Sequence, residues 1–131
     1  MMQGDPAALA VEQLDVPFGD HDGLRNVTFS VPQGQRLVVL GPSGAGKTTL
    51  LRAIAGLASV TAGRVQVDGR VVTALPPEQR HAVYLHQTPV LFPHLTVTGN
   101  IGFPLRARGI APAEIERVVG QHLLALQIDT L

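Results

Sequence analysis

Apolar residues fall along this chain first with a strand-like period and later with a helical one. Residues 9–16 read as a strand and residues 24–31 as a second, with only partly regular alternation through Leu24, Asn26, Val27 and Phe29. Pro17, Gly19, Asp20, His21, Asp22 and Gly23 are turn formers and predict the connection between them. After Pro32-Gln33-Gly34-Gln35, residues 36–40 are almost wholly apolar, the pattern of a parallel-sheet strand buried on both faces. Helical spacing follows over 47–56, carried by Leu50, Leu51, Ile54 and Leu57, with Gly56 as the stop. A strand over 65–68, a Gly69-Arg70 turn and Val71-Val72 predict a small hairpin. Pro76-Pro77 opens a polar connector, and residues 82–85 read as another buried strand.

The last third changes character. Residues 91–97 form an apolar, proline-broken loop, and residues 100–108 suggest a short helix interrupted by Pro104. From Pro112 the helical pattern is clean. Proline suits a first helical position, Glu114 and Glu116 suit the positive end, and Ile115, Val118, Val119, His122, Leu123 and Leu126 make one stripe, expected to be core.

Composition narrows the function classes. The chain has 131 residues, 45% hydrophobic and 15% charged, enough for a buried core. Ten basic residues balance ten acidic ones, so no net positive field argues for nucleic acid as a partner. Cysteine is absent, which excludes disulfides and thiolate metal sites and agrees with a cytoplasmic location. Residues 1–8, expected to be a disordered tail, lack the pattern of a signal peptide, and no apolar run approaches the roughly 18 residues of a membrane span. The five histidines show no metal-binding spacing. Nine of the ten basic residues are Arg; the one Lys is Lys47.

That lysine stands in Gly41-Pro42-Ser43-Gly44-Ala45-Gly46-Lys47-Thr48, which satisfies G-x-x-x-x-G-K-[ST] between a predicted strand and a predicted helix. The spacing suits phosphate because successive backbone N–H groups, unobstructed at the glycines, can converge on anionic oxygens, and the helix adds its own unpaired N–H groups. In such a loop Lys47 reaches the β and γ phosphates of ATP, Thr48 ligates Mg²⁺, and Thr49 adds a hydroxyl near the α phosphate. The competing reading is a glycine-rich turn that binds nothing.

A phosphate loop alone does not select a family. Here about forty residues of β-type sequence precede it, and GPSGAGKTT is followed by LLRAIAGL, TAGRVQVDGR, PPEQR, VYLHQ, LFPHLTV and NIGFPLRARG. In that order and spacing the chain resembles, from residue 9 onward, the ATP-binding subunit of ABC transporters, and more narrowly that of bacterial importers of sugars, polyamines, iron or inorganic anions. The resemblance implies an α/β, P-loop NTPase fold with an N-terminal antiparallel β subdomain, an incomplete parallel core sheet and the start of a helical subdomain. It implies that Phe18 stacks on adenine and that Gln87 joins Mg²⁺ and the γ phosphate to the transporter interface. It also implies a membrane permease that docks near residues 91–97, a second ATPase subunit, and a place at the inner face of the cell membrane. Two positions depart from the pattern: His86 precedes Gln87 where an aromatic or Pro is usual, and Gly99 stands where a Glu commonly precedes Asn100, which should loosen a helix start.

Hydrolysis in this family uses an LSGGQ signature, a Walker B Asp, a catalytic Glu and a switch His, and none occurs between Lys47 and Leu131. The stretch therefore reads as a partial ATP-binding domain that holds nucleotide without efficient turnover. Alternatives are a stand-alone, non-hydrolysing nucleotide-binding module and an unrelated small kinase.

Overall fold

In the computed structural model, which describes residues 7–19, 21–88 and 90–128, the N-terminal pattern folds as a long hairpin. Strand β1 (Ala7–Phe18) pairs antiparallel with β2 (His21–Pro32). Ala7 and Ala8, assigned to the tail, lie in β1; residues 1–6 and Asp20 lie outside the described residues. The turn is tighter than the run of turn formers suggests. Phe18 pairs with His21, so Pro17, His21, Asp22 and Gly23 belong to strands.

Strict alternation would place Val11 and Leu14 on opposite faces of β1. Both are fully buried, as is Val16. The reconciling feature is a bulge at Gln13, whose φ is +47°. From Val11 to Leu14 three steps on β1 face two on β2, from Phe29 to Val27. The step from Glu12 to Asp15 likewise faces only Arg64 to Ala62 on the other neighbour. One extra residue thus resets the phase, so that Val11, Leu14 and Val16 all point inward.

That other neighbour is β3 (Ala62–Val67), which continues through Asp68 and Gly69, both at positive φ, into β4 (Arg70–Val71). The sheet order is β2-β1-β3-β4, and every ladder is antiparallel. Helix α1 (Lys47–Ala55) lays Leu50 and Ala53 on this sheet, where they join Val11, Leu14, Val16, Val65 and Val72 in the core.

The expected parallel strands at 36–40 and 82–85 are not formed. Neither run enters a ladder among the described residues, and Val38, Leu40, Val83 and Leu85 are 74–87% exposed. Apolar composition alone does not make a strand: an extended segment becomes one only when neighbours accept its N–H and C=O groups. Val39 keeps a partial contact with the core.

The chain divides into two units, Met1–Leu85 and His86–Leu131. In the second, α2 (Val97–Ala107) starts three residues earlier than expected and runs through Pro104. Thr96 accounts for the start, since its Oγ1 accepts the Gly99 N–H at 3.0 Å. Gly99 therefore does not loosen the helix; its carbonyl also accepts from Arg106 Nη2. Pro104 forfeits only the bond that its missing N–H would give to Asn100 four residues back. Helix α3 (Pro112–Leu126) buries Ile115 and Val119 beside Gly102 of α2. The rest of the predicted stripe is less deep: Val118 and Leu123 are half-buried, and His122 and Leu126 are exposed because α2 covers only the first half of α3's apolar face.

Candidate functional site

The loop of residues 41–46 delivers the chain into α1 by a turn in which Ala45 N–H donates to Pro42 O at 3.2 Å. Gly46 is the N-cap, at φ +88°, and a Cβ there would lie 2.7 Å from Leu24 Cδ2. The left-handed φ favours glycine, and a larger residue would also require Leu24 to shift. Leu24 belongs to β2, three residues from the partner of Phe18, so the tip of the first hairpin abuts the phosphate loop. Phe18 itself is 57% exposed at that tip, where its ring is accessible.

The helix ladder opens with Leu50 N–H on Gly46 O at 2.8 Å. The N–H groups of Lys47, Thr48 and Thr49 therefore stand ahead of the ladder, at the positive end of the dipole. No side chain caps this end, and its first turn carries no acidic residue. A carboxylate here would compete with an anion. Lys47 arches back over the loop, its Nζ donating to Gly41 O and Pro42 O, each at 2.8 Å. The third N–H of the ammonium can thus be presented together with the backbone donors and the exposed Thr48. Ser43, Gly44 and Ala45 complete the exposed rim. Oriented amides, a fixed cation and hydroxyls around a glycine-lined loop suit a polyphosphate.

Gln87 is exposed on a bend in the second unit, so its role rests on resemblance rather than on geometry. Among the described residues no group of three His, Asp or Glu side chains could hold a metal, and no helix is long and apolar enough to cross a membrane.

Two polar residues organise the structure without having stood out in the sequence. Asn100 threads the apolar loop: its Oδ1 accepts Phe92 N–H at 2.8 Å, and its Nδ2 is shared among the carbonyls of Phe92, Leu95 and Thr96 at 3.0–3.2 Å. The Phe92 ring meets Phe103 at 4.4 Å, while Leu91 remains 69% exposed. The loop is thus held in shape from within and still presents apolar surface. The other residue is Arg80, buried to 4% exposure at the end of a 3₁₀ turn, Pro77–Gln79. Its signal was weak, a lone Arg closing a polar connector.

The ABC transporter family profile matches residues 24–130. The chain is 37% identical to the sn-glycerol-3-phosphate import ATP-binding protein of Rhizobium johnstonii, over 94% of this chain and 33% of that protein. It is 43% identical to the spermidine/putrescine import ATP-binding protein of Nitrosospira multiformis, over 89% of this chain and 32% of the relative. With the molybdate/tungstate import ATP-binding protein of Pyrococcus horikoshii the identity is 45%, over 94% and 35% respectively. The chain spans about a third of the length of these curated relatives. With a family match over most of its length, the chain belongs to the ABC transporter family of ATP-binding proteins.

Proposed function

We propose that this chain binds Mg·ATP at residues 41–49 as part of an ATP-driven importer. The observation that carries the reading is the start of α1: a left-handed Gly46, an acid-free first turn, and Lys47 held over the loop by two carbonyls. The amides of Gly46, Lys47 and Thr48 and the Lys47 ammonium bind the β and γ phosphates, and Thr49 lies near the α phosphate. Phe18, exposed beside the loop, stacks on adenine.

The residues present fit a magnesium ion that arrives with nucleotide rather than one held by a protein cage. Thr48 offers a hydroxyl at the helix start, no carboxylate cluster stands among the described residues, and Mg²⁺ is commonly held by substrate phosphates and water with few protein ligands; Gln87 as a further ligand rests on the family resemblance alone. The ion supplies neutralisation of phosphate charge. Efficient hydrolysis needs a base and signature residues that do not occur in this stretch, so its own share of the work is binding.

Residues 91–97, held by Asn100, form the surface that meets a membrane permease from the cytoplasmic side, and a second ATPase subunit completes the site. The relatives' names support an import role, but three cargo types at similar identity leave the cargo unread in this region. The test is nucleotide titration of the full-length gene product with a fluorescent ATP analogue and Mg²⁺. Lys47→Ala should weaken binding by on the order of a hundredfold, since it removes a charge-assisted donor to phosphate. Unchanged affinity would overturn the assignment.

A further inference from the structure

Arg80 is a buried cation whose partners are all main-chain carbonyls. Its Nε donates to Leu75 O at 2.8 Å and its Nη2 to Thr73 O at 2.7 Å. Its Nη1 donates to Ala53 O at 2.9 Å and Ile54 O at 3.0 Å. Among the described residues no carboxylate forms an ion pair with it. Burial accordingly pushes its pKa below the ordinary guanidinium value, with no acid to offset the loss of water.

Placing a charge there is costly unless its donors are satisfied, and the two groups of carbonyls say what it satisfies. Ala53 and Ile54 belong to the last turn of α1, where the dipole is negative and carbonyls look for donors beyond the helix ladder; Ala53 O also accepts the capping Gly56 N–H at 3.2 Å. Thr73 and Leu75 belong to the segment after β4. The guanidinium thus joins the C-terminal end of the phosphate-loop helix to the chain that runs on, through residues 81–85, to Gln87. Gly56 makes room for it. A Cβ at that position would lie 2.6 Å from Arg80 Nε, and Gly56 closes the helix at φ +83°.

We propose that Arg80 is a positioning residue for the nucleotide site: it locks the end of α1 to residues 73–80, so that phosphate engaged at the helix start orders the chain leading to Gln87. The inference rests on the nucleotide reading above. Its physical basis is the stiffness of α1, a nine-residue helix about 13 Å long, with the phosphate loop at one end and the four-bond clamp at the other. A ligand that restrains the first end restrains the second, and the clamp passes that restraint to a segment that β3 holds only at its start, where Val72 N–H donates to Val65 O at 2.9 Å and Thr73 Oγ1 accepts Val65 N–H at 2.8 Å.

Hydrogen exchange of the full-length gene product, with and without Mg·ATP, tests this. In the wild type, Mg·ATP should slow exchange in peptides covering 41–50 and also in peptides covering 72–85. Arg80→Met should keep the first effect and lose the second, with ATP affinity lower by about tenfold, the equivalent of one charge-assisted hydrogen bond. A merely structural arginine would speed exchange generally and leave the nucleotide-dependent difference at 72–85 intact, and that result would overturn the proposal. So would a wild type protected by nucleotide at 41–50 alone. No protection at 41–50 in the wild type would instead defeat the nucleotide reading, and this inference with it. Should Arg80→Met not fold, Arg80→Lys keeps the charge on a point-like ammonium that cannot reproduce the planar fork. It should show a reduced difference at 72–85, and a full one would count against the clamp.

Discussion

The apolar positions of strand β1 and those of the run at 36–40 both lie in the first unit, yet the former make the centre of the core and the latter lie open. Val11, Leu14 and Val16 are at most 1% exposed, whereas Val38 and Leu40 are 74% and 86% exposed. Hydrophobicity does not separate them. Pairing does: β1 has β2 on one edge and β3 on the other, and α1 covers its inward face, while 36–40 has no ladder on either edge among the described residues. The difference teaches that apolar content expresses a demand for burial, and that neighbours, often distant in sequence, decide whether the demand is met.

The sharpest way to break this comparison is at its buried end. Leu14→Ala removes a side chain with no exposure from beneath α1, and the cavity and transfer terms together should cost about 2–5 kcal/mol. Denaturant unfolding of the chain measures it. A loss below about 1 kcal/mol would mean that the bulged strand repacks freely and that its burial is not what orders the sheet.

How far the sequence carried the fold follows the same division. Features set by local chemistry were legible: the glycine-lined loop leading into α1, the helix stop at Gly56 and the start of α3 at Pro112, whereas the hairpin turn expected at Gly69-Arg70 falls one residue earlier, at Asp68-Gly69. Features set by distant partners were not. The bulge at Gln13 has no glycine to announce it, and only the two neighbouring strands reveal the extra residue. The runs at 36–40 and 82–85 have the composition of parallel strands but enter no strand ladder among the described residues. The clamp made by Arg80 was not legible either, because two of its acceptors lie 26 and 27 residues away.

On the outer side of the same sheet, a smaller effect tests whether polar groups also depend on pairing. Glu12 of β1 faces Arg64 of β3, with Arg64 Nε 2.7 Å from Glu12 Oε2, and Gln66 Nε2 donates to the other carboxylate oxygen at 3.1 Å. Both charged side chains are substantially exposed, so water screens them. A double-mutant cycle with Glu12→Ala and Arg64→Ala should give a coupling of about 0.2–1 kcal/mol. A coupling of several kcal/mol would show that cross-strand polar contacts, rather than the apolar core, fix the register of β1.

The smallest expected effect lies at the open end of the comparison. Val38→Ser exchanges an exposed methyl pair for a hydroxyl on a segment without a ladder among the described residues, so the unfolding free energy should change by no more than about 0.5 kcal/mol. The same residue should matter in another measurement. An extended apolar run with unpaired main-chain groups invites edge-to-edge association, and a charge there opposes it. Light scattering of Val38→Lys should therefore show less self-association than the parent chain at equal concentration, with little change in unfolding midpoint. If Val38→Ser instead destabilised the chain as much as Leu14→Ala does, the run at 36–40 would have to be buried in solution, and pairing could no longer be what distinguishes it from β1.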